Sequence, residues 1–384
     1  MAWVGTGAVW TMSSGILKGS PLGQSTHTSM ASHDAGALRF VQISDSHIGF
    51  DKPANTDVAA TLRAAIAKIK AAPEAPAFVL HTGDLTHLSK AEEFDTLEQV
   101  LSELSLPVFY VPGEHDVLED DGRSYLQRFG KGTQGAGWYS FDHSGVHFIG
   151  LVNVVNLKAG GLGTLGPEQL AWLENDVRPL KSSTPIVVFA HIPLWSVYPD
   201  WGWGTDDSER ALSYLKRFGS VSVLNGHIHQ VMQKVEGHVT FHTAMSTAFP
   251  QPAPGTAPSP GPMKVADERL KKVLGLSRMS FHGVDHPIAI TDVPLEDEMQ
   301  TADAHDVVMD NFSFTPGTAS VPVGTTVRWT NRDDVPHNVV STEQKFKSHA
   351  LDTDEQFVHR FETPGTYPYF CSIHPKMVGR IVVG

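Results

Sequence analysis

The chain has little cysteine, an excess of negative over positive charge and no long apolar run beyond its first residues, and each shortage excludes a class of protein. A single cysteine, Cys371, cannot form an intrachain disulfide. Lysine and arginine number 29 against 42 aspartate and glutamate residues, and this net charge of -13 argues against binding to nucleic acid or to an anionic membrane. No later segment has the apolar length of a membrane span, so we expect none in the mature protein.

Histidine is abundant where cysteine is scarce. The chain contains 20 histidines, which favours metal sites built from imidazole and carboxylate groups over disulfides or structural zinc. Its 384 residues are 41% hydrophobic and 18% charged. This composition suits two compact domains and does not suit a disordered or fibrous chain.

The first 37 residues differ in composition from the rest. Residues 1–23 are rich in Gly, Ala, Ser and Trp, include an apolar stretch and contain no acidic residue. The segment 1–37 is therefore interpreted as an export-signal-like or disordered N-terminal segment, although it lacks an Arg-Arg pair. It predicts a periplasmic or secreted protein.

From residue 38 to residue 293 short apolar runs alternate with amphipathic stretches, which predicts a layered α/β domain. The predicted strands cover residues 40–44, 77–82, 108–112, 147–152, 186–190 and 221–225. The predicted helices include residues 57–71, 90–103 and 167–177. Asp45, Asp84, Glu114, His191 and His227 all come directly after predicted strands, where α/β sheets place their ligand sites.

Two changes of composition follow that domain. Residues 251–262 form a loop rich in Pro, Gly, Ser and Thr, which we interpret as a surface excursion. Residues 294–305 are acidic and lack periodicity, so they are predicted to be a linker. Residues 306–384 contain only short β-type runs separated by turns, which predicts a small all-β domain.

Five ordered fragments carry most of the chemistry of the first domain. They are Asp-Ser-His at 45–47, Gly-Asp at 83–84, Gly-Glu-His-Asp at 113–116, Ala-His at 190–191 and Gly-His-Ile-His at 226–229. Their order resembles the calcineurin-like metallophosphoesterases, which include purple acid phosphatases and cyclic nucleotide phosphodiesterases, and the resemblance covers about residues 38–295. It implies an α/β sandwich and hydrolysis of a small phosphoester, a phosphomonoester or phosphodiester, by a metal-bound hydroxide.

The resemblance also implies a ligand set for two metal ions that share one carboxylate. Hard carboxylate oxygens and imidazoles suit ions that polarise a phosphoryl oxygen and activate a bridging water. By resemblance, the first ion takes Asp45, His47, Asp84 and His229, and the second takes Asp84, Glu114, His191 and His227. His115 is then the catalytic residue that stabilises the transition state or protonates the leaving oxygen, and Asp116 holds its tautomer.

The chain departs from the family pattern at two positions. Glu114 stands where the family has asparagine, and its negative charge favours a more highly charged pair, iron with iron, manganese or zinc. His87 stands where purple acid phosphatases carry a ligand tyrosine, so no tyrosinate band is expected. A structural role for His87 is favoured over substrate contact or ligation. For Trp195, Trp201 and Trp203, a wall of the site, a domain contact and core packing all stay open.

The last domain, residues 306–384, carries a second set of metal ligands. A lone His337 precedes Cys371, His374 and Met377, and this C-x-x-H-x-x-M loop resembles the cupredoxins of the amicyanin, pseudoazurin and plastocyanin type. The resemblance implies a Greek-key β-sandwich that holds one type 1 copper through a thiolate, two imidazoles and a weak axial thioether. It also implies a hydrogen bond from Asn338 to the cysteine loop, and a redox partner protein.

Three functions follow from the two sites together. The first is phosphoester hydrolysis, with the copper domain regulating the oxidation state of the dinuclear site. The second is a copper-linked oxidoreductase that uses an iron-containing pair. The third is a copper-binding or docking protein in which the first domain plays no part.

Overall fold

The computed structural model describes residues 8–13, 16–21, 37–283, 288–296 and 304–384. These residues divide into two units, within residues 1–37 and 38–384. In the first unit, β1 (Ala8–Ser13) and β2 (Ile16–Pro21) pair antiparallel. Most of the predicted export-signal-like segment, 1–37, lies outside the described residues. Within the described part of the chain, no helix has the length and apolarity to cross a membrane.

Eleven strands form two sheets among the described residues of the second unit up to Pro294. In chain order they are β3 (Leu38–Ile43), β4 (Val79–His81), β5 (Val108–Tyr110), β6 (Tyr139–His143), β7 (Val146–Gly150), β8 (Ile186–Ala190), β9 (Val221–Asn225), β10 (Gln233–Glu236), β11 (Val239–Thr243), β12 (Gly275–Phe281) and β13 (Ala289–Pro294). One sheet has the order β13-β12-β3-β4-β5 and the other the order β10-β11-β9-β8-β7-β6. Strands β3, β4 and β5 are parallel, as are β7, β8, β9 and β11.

In the part of the chain that the structure describes, six α-helices accompany these sheets: α1 (Val58–Lys70), α2 (Ala91–Leu101), α3 (Arg123–Phe129), α4 (Gly166–Val177), α5 (Ser208–Leu215) and α6 (Asp267–Val273). Helix α1 begins where the side chain of Asp57 accepts a hydrogen bond from the backbone N–H of Ala60. Its buried residues recur every three or four positions, so one face of the helix is apolar. The three predicted helices correspond to α1, α2 and α4.

The two sheets pack face to face between layers of helices. Alternate residues of β3 point to opposite faces, as the two-residue period of a strand requires. Phe40 packs in the core between the sheets with Phe148 and Phe189. Val41 packs in the core shared with α1 and α2. Helices α4 and α5 cover the other sheet. The predicted layered α/β sandwich is confirmed.

The rest of the second unit is an all-β sandwich, which confirms the predicted fold class. Its strands are β14 (His305–Asp310), β15 (Ser313–Thr315), β16 (Thr318–Val321), β17 (Thr326–Asn331), β18 (Val340–Ser341), β19 (Gln356–Arg360), β20 (Gly365–Phe370) and β21 (Val378–Val383). The two sheets have the orders β15-β14-β17-β19 and β16-β21-β20-β18. Trp329, Tyr369 and Phe361 are fully buried in its core. The predicted linker, 294–305, stays a prediction because residues 297–303 lie outside the described residues.

Candidate functional site

The predicted ligands of the first domain meet at the carboxyl ends of parallel strands. Asp45 and His47 follow β3, Asp84 follows β4, and Glu114 lies in a 3-10 turn just after β5. From the other sheet, His191 follows β8, and His227 and His229 follow β9. Because β3, β4, β8 and β9 end at the same edge of the sandwich, residues far apart in sequence form one cluster.

The first group consists of Asp45, His47, Asp84 and His229, whose ligand atoms lie within 4.8 Å of one another. The Nε2 atom of His47 is 3.4 Å from Asp84 Oδ2 and 3.2 Å from His229 Nε2. The Nε2 atom of His229 is 3.4 Å from Asp45 Oδ1. All four residues are buried, so two imidazoles and two carboxylates face one another away from water.

The second group consists of Glu114, His191 and His227. One carboxylate oxygen of Glu114 is 3.0 Å from His191 Nε2, and the other is 2.9 Å from His227 Nδ1. Asp84 Oδ2 is 3.4 Å from His191 Nε2, the same distance as it is from His47 Nε2 in the first group. Asp84 therefore stands between the two groups, the position of a shared ligand.

Several buried nitrogen and oxygen atoms of the cluster have no hydrogen-bond partner among the described residues. They include His191 Nε2, Glu114 Oε2, both ring nitrogens of His227 and His47 Nδ1, all of which are buried. Buried polar atoms in folded proteins are almost always satisfied. Imidazole nitrogens and carboxylate oxygens are the donors that metal ions take, so the atoms of this set that face the cluster, His191 Nε2, His227 Nδ1 and Glu114 Oε2, fit a metal site.

Backbone carbonyl groups orient two of the histidines. His191 Nδ1 donates to the carbonyl oxygen of Thr82 at 2.7 Å, and His229 Nδ1 donates to that of Phe249 at 2.5 Å. A carbonyl oxygen only accepts, so the proton of the neutral ring lies on Nδ1 and Nε2 keeps its lone pair. Each ring thus offers Nε2 to the cluster, as a metal-binding histidine does.

The backbone of the cluster is unusual. Five of the seven predicted ligands have positive φ angles: Asp45 (53°), His47 (41°), Asp84 (51°), His227 (70°) and His229 (54°). Side chains on L residues disfavour this left-handed region. Two glycines of the motifs are needed for space, since a Cβ at Gly113 would collide with the Asp84 carboxylate and one at Gly226 would lie 2.7 Å from Asp45 Oδ2.

The electrostatics favour anionic carboxylates in the cluster. Burial alone would raise the pKa of Asp45, but His229 and His191 outweigh burial and lower that pKa to about 2. In the same way, His227 and His191 outweigh burial and hold the pKa of Glu114 well below its ordinary value. Both carboxyl groups are therefore charged near neutral pH and suited to bind cations.

His115 lies beside the cluster, and its orientation corrects one expectation. Its Nδ1 donates to the carbonyl oxygen of His87 at 2.6 Å, and its backbone N–H donates to Asp84 Oδ1 at 2.9 Å. Asp116 was expected to hold the tautomer of His115, and this is wrong. The Asp116 carboxylate is fully buried and accepts hydrogen bonds from the backbone N–H groups of Leu85, Thr86 and Gly113.

The physical reason is the direction of the Asp116 side chain. Asp116 points back into the turn that follows Asp84, where three N–H groups converge on its carboxylate, so it fixes the loops that carry the ligands. Burial and the neighbouring Asp84 raise the pKa of Asp116 to about 7. For His115 burial lowers the pKa, but Asp84 and Glu114 outweigh it and raise that pKa above its ordinary value.

A cavity of about 370 Å³ opens over the cluster. His87 lines it, with its ring 5.0 Å from that of His115 and stacked on it. Trp201 and Trp203 also line the cavity, whereas Trp195 packs against Phe241 in the core. The structure thus separates three tryptophans that the sequence left undecided.

Two parts of the cavity wall were not identified from the sequence. Leu157 and Phe249 line it, and the Phe249 ring stacks on His47 at 4.8 Å. The loop 251–262, predicted as a surface excursion, contributes Gln251 and residues 260–262 to the wall. The sequence feature that could have placed this loop at the cavity is its position after the Gly-His-Ile-His fragment.

The predicted copper ligands also come together. Cys371 Sγ is 3.8 Å from His337 Nδ1 and 3.9 Å from His374 Nδ1, and the two Nδ1 atoms are 3.1 Å apart. Cys371 is fully buried, and Met377 is 3% exposed at the end of the same loop. Its backbone N–H donates to the His374 carbonyl at 2.9 Å, which closes the loop around the thiol.

Neighbouring side chains hold this second site in place. The backbone N–H of Asn338 lies 3.4 Å from Cys371 Sγ, and its side chain exchanges two 2.7 Å hydrogen bonds with Ser372, as the resemblance implied. Sequence reasoning missed Asp333, whose carboxylate accepts from His337 Nε2 at 2.7 Å. That bond leaves His337 Nδ1 free to bind a metal.

Comparison with known proteins matches the two regions separately. The model of the calcineurin-like phosphoesterase family matches residues 38–231, and that of the cupredoxin-like domain matches residues 289–383. Amicyanin of Paracoccus versutus is 31% identical over 104 residues, which are 26% of this chain and 74% of the amicyanin.

Two relatives of the first region are phosphodiesterases. A probable glycerophosphodiester phosphodiesterase of Arcobacter nitrofigilis is 25% identical over 224 residues, 54% of this chain and 77% of that protein. A 3',5'-cyclic-nucleotide phosphodiesterase of Nostoc is 24% identical over 218 residues, 55% of this chain and 79% of that protein.

Proposed function

Since the chain belongs to the calcineurin-like phosphoesterase family and ends in a cupredoxin-like domain, it is a metal-dependent phosphoric ester hydrolase, and we propose that its site holds two metal ions. The observation that carries the proposal is the position of Asp84, with Oδ2 3.4 Å from a histidine of each group. A carboxylate so placed would be the ligand that two ions share. The substrate is a small phosphoester, and two relatives that are phosphodiesterases support a diester.

Each residue of the site then has a distinct role. The bound ions would supply Lewis acidity toward the phosphoryl oxygen and activate a water molecule. Asp45, His47 and His229 would hold the first ion, Glu114, His191 and His227 would hold the second, and Asp84 would be shared by both. The carbonyl groups of Thr82 and Phe249 keep His191 and His229 oriented, so little reorganisation accompanies catalysis.

His115 is the group that we propose protonates the leaving oxygen. The hydrogen bond from Nδ1 to the His87 carbonyl fixes the ring, and its other nitrogen, Nε2, is free to deliver a proton. His115 lines the cavity, so an ester placed over the ions lies within its reach.

The test is metal analysis combined with turnover. Protein loaded with manganese or with iron should bind two ions per chain outside the copper site and hydrolyse p-nitrophenyl esters of phosphate. Protein that binds two such ions and hydrolyses no phosphoester under any condition contradicts the proposal.

A second candidate function concerns the copper domain. We propose that it holds one type 1 copper and exchanges electrons with a partner protein, and that it tunes the redox state of an iron-containing dinuclear site. Glu114 supports this, because a third carboxylate with a strongly lowered pKa stabilises a ferric ion better than a neutral amide does.

The redox proposal is tested by comparing protein with copper oxidised, reduced and removed. Activity and spectra of the dinuclear site should differ among the three states, and Glu114→Asn should weaken the difference. Turnover that depends on an electron donor would favour an oxidoreductase. Identical behaviour in all three states would leave the copper domain as a carrier or docking module.

A further inference from the structure

We propose that Phe312 is a positioning residue of the copper site, whose ring holds the imidazole of His374 in place and keeps water and small anions away from the metal. The inference rests on the type 1 copper site proposed above and concerns a residue outside the ligand set. Asp333 supports this role, because its carboxylate anchors both Phe312 and His337.

The Phe312 ring contacts both histidines of the copper site. It is nearly perpendicular to the His374 ring, with the centroids 4.9 Å apart, and to the His337 ring, with the centroids 5.5 Å apart. Perpendicular aromatic rings at these distances attract one another. Phe312 is 52% exposed, so one side of the residue faces solvent while the other lies on the two imidazoles. The ring therefore separates part of each imidazole from water.

The two histidines differ in what else restrains them. His337 is buried, and its Nε2 donates to Asp333 at 2.7 Å. His374 is half-buried, and no group among the described residues hydrogen-bonds to its Nε2. Metal-binding histidines are usually oriented by a partner on the second ring nitrogen. The contact with Phe312 takes the place of that partner for His374.

The backbone at Phe312 has an unfavourable conformation. Asn311 and Phe312 connect β14 to β15, and their φ angles are both positive, 50° and 54°. This is the pattern of a type I′ turn, which favours asparagine at the first position and glycine at the second. A bulky residue at positive φ is an outlier, and such outliers cluster at functional sites. Since glycine would suit the turn better, the turn itself does not require phenylalanine.

Asp333 connects this turn to the copper ligand His337. Its Oδ1 accepts from the backbone N–H of Asn311 at 2.6 Å, and its Oδ2 accepts from that of Phe312 at 3.0 Å. The same Oδ2 accepts from His337 Nε2 at 2.7 Å. Hydrogen bonds to an ionised carboxylate are stronger than neutral ones. One carboxylate therefore fixes both the turn that carries the ring and the histidine that the ring contacts.

A depression on the surface leads to the ligands that Phe312 covers. It has a volume of about 410 Å³, and its lining includes Phe312, Lys376 and two of the proposed ligands, His374 and Met377. Lys376 gives it a positive charge that attracts small anions. Removal of the Phe312 ring would extend the depression toward His337, so an anion would gain access to the metal.

The test compares Phe312→Gly with Phe312→Tyr in the full chain loaded with copper(II). Glycine suits the positive φ, so Phe312→Gly keeps the turn and removes the ring, whereas Phe312→Tyr keeps a ring. The probe is azide. Excess azide should shift or abolish the intense copper–thiolate band of Phe312→Gly and leave that of the wild type and of Phe312→Tyr unchanged. Val323→Ala, at an exposed apolar residue of the same domain, is the matched control and should behave like the wild type.

Two further measurements separate the ring from its anchor. Water admitted to the site stabilises the more highly charged, oxidised copper, so the reduction potential of Phe312→Gly should fall below that of the wild type. Asp333→Ala removes the acceptor of His337 Nε2 together with the anchor of the turn. It should lower copper affinity by roughly 10–100-fold, measured by competition with a chelator, and should also admit azide.

The outcomes distinguish this inference from the copper assignment on which it rests. A wild-type copper–thiolate band with a Phe312→Gly band that withstands azide overturns the role of Phe312 and keeps the copper site. An Asp333→Ala variant that binds copper weakly and still excludes azide overturns the role of Asp333 as the anchor of the ring. A wild-type chain with no copper–thiolate band overturns the copper site, and this inference with it.

Discussion

The two candidate metal sites of this chain are assembled in opposite ways. The proposed ligands of the dinuclear site extend from Asp45 to His229 and follow strands of both sheets. Three of the four proposed copper ligands lie from Cys371 to Met377, and only His337 of the four comes from elsewhere. The first site therefore depends on the whole sandwich, whereas the second depends on one loop and one distant residue. Substitutions should separate the two sites cleanly.

The largest effect is expected from Asp84→Ala. Removal of the shared carboxylate should release both ions of the dinuclear site and lower hydrolysis at least ~1,000-fold, because activation of water and of the phosphoryl group is lost together. Metal analysis and turnover of an aryl phosphodiester measure this. Asp95→Ala, at an exposed position on α2, is the control. Loss of the copper band in Asp84→Ala would show that the two sites are not independent.

The converse substitution is Cys371→Ala. It should abolish the intense visible band of a copper–thiolate bond, since no other residue of the chain supplies a thiolate. Both ions of the dinuclear site should remain bound. Visible and EPR spectra with metal analysis check this, and a band that survives makes the copper assignment wrong.

A smaller effect is expected from His115→Ala. The variant should keep both ions yet hydrolyse an aryl phosphodiester ~100-fold more slowly, the scale of a lost general acid. Exposed His238 provides the control, His238→Ala. If His115→Ala also loses an ion, then His115 is a ligand and the separation of ligands from the proton donor is wrong.

The smallest expected effect concerns the stability of the first domain, at a residue away from both sites. His147 is buried, and both its ring nitrogens hydrogen-bond to carboxylates, Nδ1 to Asp142 at 2.8 Å and Nε2 to Asp176 at 2.9 Å. Carboxylates accept, so both nitrogens donate and the ring is an imidazolium. Burial lowers the pKa of His147, but Asp176 and Asp142 outweigh it and raise that pKa.

A raised folded-state pKa gives stability that is fully present below the unfolded pKa, about 6.5, and is lost as the pH rises through the folded value. His147→Gln should therefore lower the free energy of unfolding by ~1 kcal/mol at pH 5.5 and by less at pH 9. Denaturant titrations at the two pH values measure this. A larger loss at pH 9 contradicts the assignment of the charged form.

The sequence predicted which candidate ligands would cluster better than it predicted the residues that orient them. Asp45, Asp84 and His191 were placed at strand ends by the apolar runs before them, and the structure brings them together. The partner of His115 was not predictable, because the His87 carbonyl is a backbone group with no sequence signature. Asp116 was misassigned because the family resemblance implied a contact with His115, whereas in this chain its carboxylate accepts from the backbone N–H of Gly113.

The cavity wall escaped prediction for a different reason. Leu157 and Phe249 are ordinary apolar residues, and only the tertiary fold decides whether such a residue packs in a core or faces a ligand. Asp333 lies four residues before His337, and its contact depends on the local loop conformation. Sequence patterns indicate chemistry at the ligands but not in the surroundings that tune them.

The positive φ angles at Asp45, His47 and Asp84, and at two histidines of the other sheet, have a consequence for laboratory evolution. Each non-glycine residue held there costs roughly 1–2 kcal/mol relative to its relaxed backbone. Glycine relieves that cost and removes the ligand at the same time. Selection of variants for thermal stability alone should therefore enrich glycine at these positions and yield more stable proteins that no longer bind metal. Selection for turnover should retain all five.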